Sequence, residues 1–571
     1  MAELPRSAAQ EPITAGFAHL AEADWLAARE SFSEALAGEE TPEALEGLSW
    51  AAWWLDDADV VFDARERAYH GYREQGDPVG AARMAIWLGC DQLDFRGATS
   101  VAGGWLRRAG RLLEAVELQP EHGWLAFHEG YLANLIGDPA TAARLADRAS
   151  EIGRRFDIPD LVMLGLAMRG SILVGCAEVE AGMRCLDEAK VMAGEATLPI
   201  SGAWACCFLV SACTAVLDFE RAFQWCDSIS RFADQYGSRY ILAFCRAEYG
   251  AVHLWRGEWS DAEQMLESSV ADFSSSRPAM EGGPLVALAE LRRRQGRRDE
   301  AVHLLDRAGS SAPAMLCRAR LELDRGNPRR SVELIERALR QSPEDRKLDR
   351  APAFELLARC HAARGDLEQA QAALESLREV DKLVSTEPVR ALTDLTEGIL
   401  KAAAGHHEEA RTRLEDAVDR FQRCRAPYET ATARIELAVS LGALGRLELA
   451  EQEATRALET LERLDAAPEA ARAQRVRAIA AHNGQAPGGP SPVTTRERDV
   501  LVLLAEGLTN RQIADRLVVS EHTVHRHITN ILRKLDQPSR TAAAAYAVRS
   551  GLLEPDREWP DLATRGAARR K

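Results

Sequence analysis

Between residues 521 and 535 one helical face gathers His522, His525, Arg526, Thr529, Asn530 and Arg533. These side chains donate and accept hydrogen bonds, and their only permanent charge is positive. A surface offering both acceptors and negative charge would complement them, and a base-pair edge flanked by phosphates is such a surface. The opposite face carries Val524, Ile528, Ile531, Leu532 and Leu535 at i, i+4, i+7, i+8 and i+11, a single apolar stripe. His527 flanks that stripe, so a packing or capping role is expected for it. His525 and His527 lie two apart and point away from each other on a helix, so no zinc site is expected. Catalytic patterns are missing elsewhere. No GxxxxGK phosphate loop occurs, and Gly103-Gly104 and Gly488-Gly489 lack the Lys and the strand–helix context. His407-Glu408-Glu409 lacks the second His of a zinc-protease helix. The expectation is no cofactor, no metal and no enzymatic activity.

Three further short helices are expected to position this face. Thr494-Thr495-Arg496-Glu497 reads as a capping box that opens a helix through Val500, Leu501, Leu503 and Leu504, stopped by Gly507. Thr509-Asn510-Arg511-Gln512 opens a second helix burying Ile513, Ala514 and Leu517, and Ser520 caps the polar helix. A fourth helix is predicted over 539–550, ending at Gly551. A short turn joining two helices, the second cationic outside and apolar inside, is the arrangement that enters a major groove.

The words Thr494-Thr495-Arg496-Glu497-Arg498, Gly507-Leu508-Thr509-Asn510-Arg511-Gln512-Ile513-Ala514, Thr523-Val524-His525-Arg526-His527 and Asn530-Ile531-Leu532-Arg533-Lys534-Leu535 resemble the LuxR-type helix-turn-helix. The resemblance covers residues 493–553, a tenth of the chain. It implies a transcription regulator that binds double-stranded DNA, with the helix-turn-helix at 509–528 and bases faced by His525, Arg526 and Thr529. It also implies that the fourth helix supports a homodimer on DNA. His525 stands where many members have Lys, which removes a permanent charge from the reading face. The expected DNA-binding set is Asn510, Arg511, Ser520, His522, Thr523, His525, Arg526, Thr529, Asn530, Arg533, Lys534 and Arg540. Lys534 and Arg540 lie at its edge, where phosphates are the expected partners.

Upstream, from about residue 16 to 480, one pattern recurs. A Gly is followed five residues later by Ala at Gly97/Ala102, Gly137/Ala142, Gly257/Ala262, Gly296/Ala301, Gly365/Ala370, Gly405/Ala410 and Gly445/Ala450. Gly326 is followed by Ser331 at the same offset. Small residues also stand seven before (Gly130, Gly250, Ala289, Ala319, Ala358, Gly398, Ala438) and twelve after (Ala149, Ala308, Ala338, Ala417, Ala457). Antiparallel helices approach closely only where side chains are small, and the Gly lets the first helix stop and the chain reverse. The spacing resembles the tetratricopeptide repeat, with 319–343 the nearest match, although most units are longer than 34 residues. Some eleven or twelve helical hairpins are expected. Leu217 stands where a Gly is expected before Ala222.

All tryptophans but Trp559 lie between Trp25 and Trp259, and Trp50, Trp53 and Trp54 cluster at i, i+3 and i+4. They either fill cores between repeats or line a groove for an effector, since repeat arrays bind on their concave face. The groove reading makes the repeats a sensor or interaction module for a protein, peptide or small molecule, and contact with RNA polymerase is a further expectation.

Composition agrees with an all-α chain, a TPR-like α-solenoid followed by a four-helix domain. Ala, Leu, Arg and Glu dominate its 571 residues, and period-two alternation is scarce. The net charge of −17 is uneven. Residues 494–553 hold nine basic and six acidic side chains, about +3, and the tail holds five and four, about +1; the body is left with roughly −21. The expected organisation is an N-terminal tail at 1–15, repeats at 16–480, a Pro/Gly linker at 481–492, the DNA-binding domain at 493–553 and a C-terminal tail at 554–571. No signal peptide or membrane span is apparent, and eleven cysteines without a CxxC pair fit a reducing, cytoplasmic setting of bacterial type, nucleoid-associated when bound to DNA.

Overall fold

A computed structural model describes residues 10–193, 199–218, 221–222, 231–232, 235–484, 495–517, 519–535, 537 and 539–549. Among the described residues there are helices and turns but no strands. The chain divides into two compact units, Met1–Gly484 and Gln485–Lys571.

The first unit is a succession of antiparallel helical hairpins, with 24 α-helices among the described residues, from Gln10–Ala21 to Ala467–Gly484. Local chemistry sets where each helix starts. Asp24, Asp57, Asp77, Asp138 and Asp366 each accept a hydrogen bond from a backbone amide two or three residues on. Pro42, Pro78, Pro120, Pro139, Pro159, Pro328 and Pro427 occupy first-turn positions, where the missing N–H costs nothing. The eight predicted stop glycines all have positive φ, from 63° to 85°. Leu217 fills the same turn position with φ 61°, so the repeat's geometry persists where its glycine is lost.

The small residues do sit at helix crossings. Ala102, Ala142, Ala262, Ala301, Ser331, Ala370, Ala410 and Ala450 are all fully buried. Ser331, the exception in type, donates its hydroxyl to the carbonyl of Ala319 at 2.7 Å, a residue from the facing small set. At one tight crossing a methyl on Gly170 would stand 2.7 Å from the carbonyl oxygen of Gly182. Of the residues at the twelve-after offset, Ala308 is only half-buried.

Hairpins far apart in sequence also touch. Arg277 donates to Asp56 at 2.6 Å and to the carbonyl of Trp53 at 3.3 Å, across more than 220 residues. Trp255 Nε1 reaches the carbonyl of Cys424, and Arg346 the amide oxygen of Asn134. The array is therefore tied from one superhelical turn to the next and is more than a chain of nearest-neighbour contacts.

The tryptophan cluster belongs to these ties. Trp54 stacks on Trp25 with centroids 4.5 Å apart, and Trp53 and Trp54 are buried. Two fully buried guanidiniums lie over the rings: Arg65, paired with Asp91 at 2.8 Å, over Trp50, and Arg277 over Trp53. Half-buried Trp50 packs edge-on against Trp87. The rings thus face other rings and buried cations within the core.

Candidate nucleic-acid interface

The described part of the second unit consists of the helices Thr495–Ala505, Asn510–Leu517, Glu521–Lys534 and Arg540–Arg549. One core holds them together: Val500, Leu501, Leu503 and Leu504 from the first, Ile513, Ala514 and Leu517 from the second, Val524, Ile528 and Ile531 from the third, and Ala543 from the fourth.

Capping fixes the angle at which the third helix leaves the turn. Thr509 and Gln512 form the expected reciprocal box: Gln512 N–H donates to Thr509 Oγ1 at 3.4 Å, and Thr509 N–H donates to Gln512 Oε1 at 2.8 Å. Gly507 closes the first helix with φ 84°. Ser520 accepts from the Thr523 amide at 3.1 Å and also bonds the Thr523 hydroxyl at 2.7 Å. Ser539 caps the fourth helix through the Ala542 amide. Thr494, of the first expected box, and Ser550 and Gly551, at the expected end of the fourth helix, lie outside the described residues.

The third helix separates its two faces as the stripe requires. Val524, Ile528, Ile531 and Leu535 are buried, with Leu532 half-buried, while His522, His525, Arg526, Thr529 and Arg533 are exposed. Among the described residues Arg526 and Arg511 have no carboxylate partner within ion-pairing distance. Their positive charge is directed to solvent. Arg533 donates to Asn530 Oδ1 at 3.3 Å, and the Thr529 hydroxyl donates back to the carbonyl of His525 at 3.0 Å. His527 is half-buried beside the stripe.

The remaining expected DNA contacts have partners inside the domain. Lys534 Nζ lies 2.6 Å from Glu497 Oε2, joining the end of the third helix to the buried start of the first. Arg540 donates to Asn510 Oδ1 at 2.7 Å and also to the carbonyl of Leu508, so it clamps the turn ahead of the second helix. Glu497 is the residue whose importance the sequence understated. Its partner lies 37 positions away, beyond any local spacing rule, and it is almost fully buried.

Known proteins share both parts. Residues 491–547 match the luxR family of bacterial regulatory proteins, and residues 322–393 and 395–463 match tetratricopeptide repeat families. The chain is 43% identical over 81 residues to the transcriptional regulatory protein LiaR of Bacillus subtilis, which is 14% of this chain and 38% of that protein. It is 58% identical over 53 residues to the nitrate/nitrite response regulator protein NarP of Escherichia coli, 9% and 25% of the two chains. A putative HTH-type transcriptional regulator of Mycobacterium tuberculosis, Rv0890c, is 31% identical over 158 residues, 28% of this chain and 17% of that one. The chain spans about a third of the length of the first three curated relatives it matches. Among solved structures, a Rap protein complexed with competence and sporulation factor aligns with a TM-score of 0.38 at 13% identity, covering 72% of this chain and 99% of that one. The C-terminal unit carries a LuxR-type helix-turn-helix domain, and tetratricopeptide repeats precede it.

Proposed function

We propose that this chain is a sequence-specific DNA-binding transcription regulator whose helical repeats act as its sensor or interaction module. The observation that carries the reading is the third helix of the second unit. Its apolar stripe is committed to the core, so the face bearing His522, His525, Arg526 and Thr529 is the one left for a major groove. In this reading Arg526 makes a bidentate contact to a guanine edge, while His525 and Thr529 contact neighbouring bases. Arg511, Ser520, Thr523 and Arg533 hold phosphates, and Asn530 orients Arg533. Lys534, Arg540 and Asn510 act mainly by holding the helix at the correct angle, given their partners. The fourth helix supports a homodimer on DNA, and RNA polymerase is a further partner. Selection of duplexes from a random pool by the full-length chain tests the reading. A recurrent, two-fold-related motif is the expected result, and recovery of sequences without any shared motif would oppose it.

A further inference from the structure

In the first unit, the first helices of five successive hairpins converge on one cavity of about 230 Å³. Pro78–Asp94, Pro120–Leu135, Pro159–Gly175, Pro199–Ala215 and Arg239–Arg256 each contribute side chains to it. The volume is equivalent to roughly seven or eight waters at ~30 Å³ each. It falls just below the ~300–1,000 Å³ of pockets for drug-sized ligands. That size suits a small molecule.

Its walls are aromatic. Phe127 and Trp204 lie nearly parallel with centroids 6.2 Å apart, Tyr131 meets Phe208 edge-on at 6.4 Å, and Tyr240 and Phe244 also contribute rings to the lining. Two polar groups in this wall are poorly satisfied. His128 is 1% exposed, and neither ring nitrogen has a hydrogen-bond partner among the described residues. Burial, reinforced by Arg65, pushes its pKa down to about 3, so the ring is neutral and offers one N–H and one lone pair.

Asp94 is the second. It is 5% exposed, and the contact seen for it is the Cys90 thiol at 3.7 Å. The nearby guanidiniums are engaged elsewhere, Arg65 with Asp91 at 2.8 Å and Arg277 with Asp56 at 2.6 Å. Burial pushes the Asp94 carboxyl up to about 6 despite the attraction of Arg277 and Arg65. Burial holds the acids of Cys90, Tyr131 and Tyr240 up, and the negative charge of Asp94 adds to that rise in each. A buried carboxylate with no ion pair among the described residues, in a cavity lined by aromatic side chains, is an arrangement that recognises an organic cation.

We propose that this cavity binds a small organic cation, an amine or quaternary ammonium on an apolar or aromatic body. The positive centre sits at Asp94 against the faces of Trp204 and Tyr240, and the body lies along Phe127, Phe208 and Phe244. The lone pair of His128 accepts from an N–H or O–H of the ligand. The proposal rests on the repeats being a sensor only for its regulatory consequence; binding itself does not depend on DNA.

Calorimetric titration of the full-length chain at pH 7.5 tests this with three probes of similar shape: 2-phenylethylammonium, 2-phenylethanol and 3-phenylpropionate. The ammonium should bind about tenfold or more tightly than the alcohol, the size expected for one charge-assisted contact in a buried site, and the carboxylate should not bind. Asp94→Asn, close to isosteric, should remove the preference for the cation. Ser171→Leu, which fills the cavity from its half-buried wall without touching Asp94, should abolish binding. Equal or tighter binding of the alcohol or carboxylate would overturn the proposal. So would unchanged binding in both variants, or no binding of any probe by folded protein. A parallel gel shift separates the two readings: DNA retained without probe binding refutes the cavity alone, and probe binding without DNA refutes the regulator alone.

Discussion

Gly398 stands where two helices cross, and replacing it with Ala should act against the ordinary preference of helices for Ala. It lies inside the helix Glu387–Ala403, where exchange for Ala alone would stabilise by about 1 kcal/mol. A methyl there, however, would stand 2.6 Å from Leu414 Cγ and 2.7 Å from Leu414 Cδ2. Leu414 is fully buried in the same core as Phe421, Ala417 and Ala391, so it has no free direction in which to move. Overpacking of this kind costs about 1–3 kcal/mol, which exceeds the propensity gain at most of that range. The net expectation is a loss of up to about 2 kcal/mol, or a factor of up to ~30 in the local opening equilibrium. Gly104 provides the matched control. It lies inside the helix Thr99–Leu113, and a methyl there would meet nothing within 4 Å. Gly104→Ala should therefore stabilise by up to about 1 kcal/mol. Repeat arrays open locally, so native-state hydrogen exchange read helix by helix is the suitable assay. Protection should fall in Glu387–Ala403 and His407–Arg423 for the first variant and rise in Thr99–Leu113 for the second. A gain of protection in both variants would show that helix propensity, not close approach, governs these positions.

Other expectations follow from burial and bonding. Ala450→Leu, at a fully buried crossing residue, should destabilise the last hairpins by about 1–3 kcal/mol, and an unchanged thermal midpoint would argue against the crossing assignment. His128 binds a proton near 6.5 when unfolded and only near 3 when folded, so as pH falls below 6.5 the unfolded state gains protons and stability is lost. Between pH 7 and 5 that loss is about 2 kcal/mol; His128→Leu should remove it, seen as a smaller acid-induced fall in unfolding midpoint than in the parent. Arg540→Ala breaks bonds to Asn510 and Leu508 and should destabilise the second unit by about 1–2 kcal/mol in thermal melts. Lost DNA affinity with unchanged melting would instead make Arg540 a phosphate contact.

The repeat was legible because helix crossings tolerate only small side chains, so Gly398, Ala410 and Ala417 leave a fixed signature. Helix starts were legible for a similar reason, since Ser520 and Thr509 act within three residues of themselves. What could not be read was long-range. The pairings Arg277–Asp56, Lys534–Glu497 and Arg540–Asn510 join residues 221, 37 and 30 positions apart, and no local spacing encodes them. The tryptophans show the same limit. The spacing of Trp50, Trp53 and Trp54 marks a helix face but not what covers it, and here the cover includes Arg277, from another superhelical turn. The cavity has no sequence signature because its lining is drawn from five helices, with Asp94 on one and the aromatic rings on three others, so no stretch of sequence announces it.

The most direct test of the account is the binding of the Arg526→Ala chain to its selected duplex and to random DNA of equal length and salt. The exposed guanidinium on the free face of Glu521–Lys534 is assigned to a base edge, so the substitution should cost about 1–3 kcal/mol on the selected duplex. Affinity for random DNA should hardly change, and selectivity at one base position should relax. Equal losses on both DNAs would show that Arg526 touches only the phosphate backbone, and would contradict the proposed reading face.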